Sequence, residues 1–309
     1  MLDVRKLRLL RELAHRGTIA AVADALSYTP SAVSQQLTAL EREAGVSLLE
    51  RTGRRVTLTP AAHLLVGHTE TILAALERAD AELSCVRDEL VGTLRIGAFP
   101  TAARTLLSPA LVALSTAHPR LELTVTELDP AEVPDALRAG TLDIALTHDY
   151  DLVPAIPDPA IHTEPLHTET VFLATRHPVP ATDPLRATAA SPWIAGTPGT
   201  LCHTVTLRAC LATGFTPRIR HHADDFTTVL ALVAADAGAA IVPAMALPSP
   251  LGDVTLTPLT TRRHTHLAYR NGTATHPAIH AARTTLRDAA RTAQSGTATP
   301  ARPGARSSP

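Results

Sequence analysis

Five small or hydrogen-bonding side chains, Pro30, Ser31, Ser34, Gln35 and Thr38, share one side of a stretch whose other side carries Val33, Leu37 and Leu40. A glutamine amide can pair both positions on the major-groove edge of adenine, and serine or threonine hydroxyls reach phosphates or bases. Gln35 is the leading candidate for a base contact and Gln36 the second. Thr29 before Pro30 is a helix start, a hydroxyl cap followed by proline where its missing N–H costs nothing. Further on, Arg51, Arg54 and Arg55 gather around Thr52 and Gly53, where a turn would hold guanidiniums against a phosphate backbone. Residues 1–60 carry nine basic side chains against six acidic ones, so the clustering of charge supports phosphate contact more than its total does. The implied chemistry is recognition of double-stranded DNA.

Bond-making chemistry finds no comparable support. There is no nucleotide-binding glycine loop, nucleophile elbow or paired catalytic motif, and the segment Gly196 to Gly199 is too short and too poorly placed for a P-loop. The expectation is a protein that is not an enzyme, with no catalytic residues and no cofactor. Fifteen histidines include the pairs His221/His222 and His264/His266, but without cysteine or carboxylate companions at binding spacing they read as surface or loop histidines, and no metal site is expected. Cys85, Cys202 and Cys210 form no Cys-x-x-Cys pair and cannot build a disulfide framework, so reduced thiols are the default.

The elements that position the DNA-facing groups follow from apolar spacing. Val4, Leu7, Leu10 and Ala14, with Leu13 adjoining, outline a first helix that Gly17 ends. Thr18 caps a second, with Ile19, Val22, Ala23 and Leu26 inward, Ala20, Ala21 and Ala25 permitting close packing, and Ser27 and Tyr28 turning the chain. After Gly45, VSLLERTGRRVTLT reads as two short strands forming a wing. On the helix pattern alone, a small structural domain with a solvated polar face remains open. Thr59 and Pro60 begin a long helix to about Leu90, in which Leu65, Ile72, Ala79 and Val86 recur every seven residues, and Leu76, Leu83 and Leu90 recur on a row offset by four. That is the seam of a two-stranded coiled coil, with packing against the chain's own domain as the alternative. Beyond Gly92, strand-like TLRIGAF, LELTVTEL, LDIALTH, TVFLAT and AAIVP alternate with helices near 101–117, 131–139, 200–213, 226–237 and 276–292. The expectation is an α/β region with mostly parallel strands. VTLTPL and HTHLAYR look like late strands, with the last helix returning to the first of two lobes.

At 309 residues the chain suits two or three domains, and 45% hydrophobic residues with 18% charged supply substantial cores. A net charge of −1 provides no global field, so any DNA or membrane partner must be met by a local patch. The N-terminus is charged and amphipathic, and no run of about 18 apolar residues exists; a cytoplasmic protein with no membrane partner is expected. From Arg262 onward eight arginines face one acidic residue, Asp288, a solvated basic face rather than a second DNA site.

The segment TIAAVADALSYTPSAVSQQLTALEREAGVSLLERTGRRVTLTPAA, from Thr18 to Ala62, resembles the DNA-binding region of the LysR family of bacterial transcription regulators. It carries paired alanines, the cap before the reading helix, Ser34, Gln36, Leu40-Glu41, Gly45, Glu50-Arg51 and Leu58-Thr59-Pro60. Leu49 departs from the family's usual aromatic and Ala62 from its frequent glycine. GTLRIGAFPTA, ALRAGTLDIALTH and DDFTTVLALVAADAGAAIVPAMAL resemble the family's effector domain, and the likeness reaches residue 292. It implies a winged helix-turn-helix over 1–60, a dimerising linker helix over 61–90, and a two-lobed periplasmic-binding-protein-like effector domain over 91–292. Lobe 1 would be about 91–164 with 268–292, lobe 2 about 165–267, and 293–309 a disordered tail. It further implies a homodimer, itself paired into a tetramer, on promoter DNA, with RNA polymerase as a further partner, and a small-molecule effector between the lobes. The implied cleft residues are Pro100, Thr101, Thr147, His148, Thr197, Gly199, Thr200, Leu201 and Asp224, whose hydroxyls and free N–H groups would favour an anion. Cys202 and Cys210 lie in a similar place to the paired cysteines of peroxide-sensing members, but eight residues on an intact helix separate them by about 12 Å, too far to bridge.

Overall fold

The computed structural model describes residues 1–52, 55–84 and 90–296. Three helices open the chain: α1 (Val4–Arg16), α2 (Ile19–Leu26) and α3 (Pro30–Ala44). Their starts follow from side-chain caps, since Asp3, Thr18 and Thr29 each accept a backbone N–H of the first turn, and Gly17 and Gly45 end α1 and α3 in the left-handed conformation. The turn between α2 and α3 is made by Ser27, whose φ of 56° is unusual for a residue with a side chain. Leu7, Leu10, Leu13, Val22, Val33, Leu37 and Leu40 are buried together with Leu9, which the spacing had not marked, while Val4 and Ala14 are only partly covered. An antiparallel wing follows, β1 (Leu49–Thr52) on β2 (Arg55–Leu58).

The linker helix α4 (Pro60–Ser84) passes through Gly67 without a break. Most of its heptad positions stay uncovered, with Ile72, Leu76, Ala79 and Leu83 exposed, but Leu65, expected in the same seam, is half-buried against the core of the first three helices. The side turned to the rest of the chain is a different one, with Ala62, Thr69, Glu70, Leu73 and Ala81 buried. Val86, expected in the seam, lies outside the described residues. Leu90, expected as the end of the row, is not helical, because the chain is already turning into a strand that pairs from Gly92 with Leu121.

The C-terminal region comprises β3 (Gly92–Ala98), α5 (Pro100–Ala102) continuing through a π turn at Ala103–Leu107 into α6 (Ser108–Ala117), β4 (Leu121–Glu127), α7 (Val133–Ala139), β5 (Ile144–Tyr150), β6 (Ile161–Thr175), α8 (Pro184–Ala187), β7 (Pro192–Ala195), α9 (Leu201–Ala212), β8 (Arg218–His222), α10 (Phe226–Ala234), β9 (Ala240–Pro243), β10 (Thr255–Arg270) and α11 (Pro277–Gly296). The main sheet runs β4-β3-β5-β10-β6-β9. The expectation of mostly parallel strands fails here. β3 is parallel to β4 and β5, but β10 pairs antiparallel with β5 and β6, and β6 antiparallel with β9. The reason is length: VTLTPL and HTHLAYR belong to one strand of 16 residues, and TVFLAT is the end of one of 15. These two strands pair with each other and cross between the lobes.

One lobe packs β3, β4 and β5 under α6, α7 and α11, and its core holds Ile96, Leu106, Leu114, Ile144, Leu267 and Leu286. The other sets β7, β8 and β9 among α9 and α10, around Trp193, Val205, Cys210, Val229 and Val233. Helix α11 returns to the first lobe and runs to Gly296, four residues past its expected end, because Ala293 beyond that end still packs against that core. Residues 297–309, expected to be disordered, lie outside the described residues. Among the described residues no helix is long and apolar enough to cross a membrane.

Candidate functional site

Burying Val33, Leu37 and Leu40 turns the polar stripe of α3 outward: Thr29, Pro30, Ser31, Gln35, Gln36 and Thr38 are exposed and Ser34 is half-covered. Thr29 Oγ1 is occupied as the cap, accepting the Ala32 N–H at 3.2 Å. The wing is fastened to the end of α3 by Glu41, whose Oε1 accepts the N–H groups of Leu48 and Leu49 at 2.9 and 3.1 Å. Its strand register sets Thr52 opposite Arg55 and Arg51 opposite Val56. Gly53 and Arg54, the expected tip, lie outside the described residues.

Between the lobes are two adjoining cavities. Pro100, Thr101, His148, Thr200 and Asp224 line the first, about 380 Å³. Thr147, Gly199 and Leu201 line the second, about 620 Å³, and His148 and Pro130 border both. Thr197 lines neither; its N–H and hydroxyl donate to Asp224 at 2.8 and 2.6 Å. Gly196 leaves room for this knot, since a Cβ there would come within 2.6 Å of Thr200 Oγ1.

Sequence reasoning missed the centre of the cleft. Arg263, fully buried on β10, donates to Glu169 of β6 at 2.7 Å and to Thr101 Oγ1 at 2.9 Å, and lies 5.1 Å over the Phe99 ring. Burial opposes the Arg263 charge, but the charge and hydrogen bond of Glu169, together with Tyr150 and Cys202, more than offset it and keep the guanidinium protonated. Alternation along β10 was the available signal: Arg263, Thr265 and Leu267 share the inward face. Next to Arg263, His148 packs edge-on to Phe99 and Tyr150, with centroids 4.4 and 5.5 Å away. Among the described residues neither of its ring nitrogens has a partner. Burial, then the Arg263 and His266 charges, hold its pKa well below the ordinary histidine value, so it is neutral near pH 7. The charge balance runs against the expected preference for an anion, because Glu127, Asp129, Glu132, Asp224 and Asp225 line the first cavity and only Arg104 and Arg263 oppose them.

Cys202 and Cys210 both lie in the unbroken α9, Cys202 against the cleft and Cys210 in the core. Burial pushes the Cys210 thiol up to about 12, which disfavours the reactive thiolate. Cys85 lies outside the described residues. His264 and His266 contact Asp151 and Asp149, and His222 contacts the Gly196 carbonyl. Among the described residues no group of three or more His, Cys, Asp or Glu is placed to hold a metal ion.

The profile of the bacterial regulatory helix-turn-helix of the lysR family matches residues 4–63, and that of the LysR substrate binding domain matches residues 87–291. The chain belongs to the LysR family. It is a LysR-type DNA-binding transcription regulator with an effector-binding domain. The LysR-type chain is similar to the transcriptional dual regulator GltC of Bacillus subtilis, at 27% identity over 256 residues covering 78% of this chain and 81% of that protein. A probable hydrogen peroxide-inducible genes activator of Mycobacterium xenopi is 38% identical over 140 residues, 45% of this chain and 74% of that one. Its counterpart from Streptomyces viridosporus is 33% identical over 181 residues, about half (56%) of each chain. Among solved structures, a hydrogen peroxide-bound mutant of Corynebacterium glutamicum OxyR shares the fold, with a TM-score of 0.56 at 24% identity over 99% of both chains.

In this LysR-type regulator the DNA-reading head touches the first lobe directly. Arg16 of α1 pairs with Asp135 of α7 at 3.3 Å, and Arg11 reaches the Arg138 carbonyl at 3.5 Å. Linker residue Glu77 pairs with Arg270 at 3.0 Å, and Arg270 also donates to the Leu137 and Leu142 carbonyls. The loop leading into α7 contributes Asp129, Pro130 and Glu132 to the first cavity.

Proposed function

We propose that this regulator is a cytoplasmic protein, not an enzyme, that binds promoter DNA as a homodimer through α3 and the wing. Gln35 reads a base edge, and Thr29, Pro30, Ser31, Ser34, Gln36 and Thr38 with Arg51, Arg54 and Arg55 fix the helix on bases and backbone. The observation that carries this reading is the polar stripe of α3, exposed along its N-terminal half and set by a buried apolar face. Dimerisation uses the uncovered Ile72, Leu76, Ala79 and Leu83 of α4, and pairing of dimers into a tetramer extends the contact along the promoter, where RNA polymerase is a further partner. In this reading the head runs to residue 60, the linker to 90 and the effector region beyond.

In the same reading a small molecule binds between the lobes against Pro100, Thr101, Thr147, His148, Gly199, Thr200, Leu201 and Asp224, with Thr197 behind them holding Asp224. By contacting one arrangement of the lobes better than another, it shifts α7 and with it the head and linker. Support comes from the placement of α7, which meets the cavity at its start and α1 along its length. The test is a footprint of the full chain on DNA upstream of its own gene over a salt series. Two-fold related protection should appear, with affinity falling steeply with salt and Gln35→Ala weakening it by about 1–3 kcal/mol. Unchanged protection in Gln35→Ala would overturn the assignment.

A further inference from the structure

We infer that the effector is an amphiphilic amine, its ammonium among the carboxylates of the first cavity beside His148 and its apolar body in the second. This rests on the proposal that the cleft is the effector site. None of Glu127, Asp129, Glu132, Asp224 and Asp225 is in an ion pair among the described residues, and Arg263 is already matched to Glu169. Asp224, Asp225 and Asp129 accept N–H groups of Thr197, Thr228 and Ala131, which fixes where their charge points, while Glu127 and Glu132 are exposed. A carboxylate ligand would find Arg104 as its one uncommitted cation among the described lining residues, set against five carboxylates, whereas an ammonium would be held by them.

A second and independent observation comes from His148. It is 6% exposed, borders both cavities, and among the described residues leaves both ring nitrogens without a partner, an arrangement that costs free energy unless a ligand group meets it. As a neutral ring it offers one lone pair and one N–H, so an ammonium N–H can donate to the lone pair. The cavity on its other side is lined by Val153, Pro154, Ile156, Pro157, Ile161 and Leu201, a wall that fits a hydrocarbon chain or ring. Ile156 is 91% exposed, a large apolar side chain that such a body would cover.

The experiment compares hexylamine, hexan-1-ol and hexanoate, equal in body and different in charge, by calorimetric titration into the full chain, with hydrogen exchange recorded over residues 99–104, 127–132 and 147–149. Hexylamine should bind roughly tenfold or more tighter than hexanoate, a gap of about 1.4 kcal/mol, and slow exchange in those segments. Glu127→Gln/Asp129→Asn/Glu132→Gln, changed at the rim where folding is not at stake, should lose most of the hexylamine preference and leave hexan-1-ol unchanged. His148→Phe should weaken hexylamine while raising thermal stability. Hexanoate binding as tightly as hexylamine with those segments protected would overturn the amine and leave the cleft reading standing. Protection of none of them by any probe would overturn both.

Discussion

Glu169 and Arg263 meet at 2.7 Å with both side chains almost removed from water, so removing either strands the other's charge. Glu169→Gln should therefore cost about 3–5 kcal/mol of stability, read as a lower urea midpoint at unchanged slope. His148 gives the residue scale a pH dependence with a definite sign. Its folded pKa lies well below 6.5 because burial, Arg263 and His266 all oppose its charge, so the unfolded chain takes up the proton first. Stability should be level above about pH 6.5 and fall below it, with a limiting slope of about 1.4 kcal/mol per pH unit from this group. His167, lowered first by burial, adds in the same direction. Urea unfolding across this range should show a shallower acid limb in His148→Phe, and identical limbs would contradict the assignment. The polar stripe of α3 was legible in the sequence because one helix face suffices to define it. Arg263 was not, because its partners stand 94 and 162 residues away and only strand pairing brings them together.

At the scale of elements, the linker helix presents two faces with different tasks. Leu76 and Leu83 are 47% and 70% exposed, an apolar row with nothing over it among the described residues. Leu76→Glu/Leu83→Glu should shift sedimentation from dimer to monomer while leaving the helical signal in place, and a dimer persisting in that variant would move the interface elsewhere. The inward face is pressed against the first lobe at Gly272, where φ is +94° and a Cβ would fall 2.1 Å from the Ala74 carbonyl oxygen. Gly272→Ala should force loop and linker apart, seen as faster hydrogen exchange over residues 60–84. The heptad spacing marked Ile72, Leu76, Ala79 and Leu83 of the outer face, but also Leu65, which turns to the head. The inner one, with Thr69, Glu70 and Ala81 buried, carries no apolar repeat and depends on which lobe happens to pack there. The same limit explains the sheet. Alternating strands and helices suggested parallel order, but strand direction in the crossing pair is set by the long returns that carry β6 and β10 between lobes, and no local pattern records them.

Across the whole molecule, the cleft and the DNA-reading head are joined through α7. Arg16 to Asp135 and Arg11 to the Arg138 carbonyl tie the head, and Glu77 to Arg270 ties the linker, to the lobe whose loop borders the cavity. The exposed Arg16 to Asp135 pair is worth about 0–1 kcal/mol, so its role is to choose between arrangements of similar stability rather than to hold the fold. The measurement that tests this most directly is the footprint of the full chain compared with that of Asp135→Ala/Arg270→Ala on the same upstream DNA. The double variant should still protect two half-sites whose recognition depends on Gln35, but with altered spacing or extent of protection between them, since α3 is untouched and its placement is freed. Superimposable footprints would contradict it.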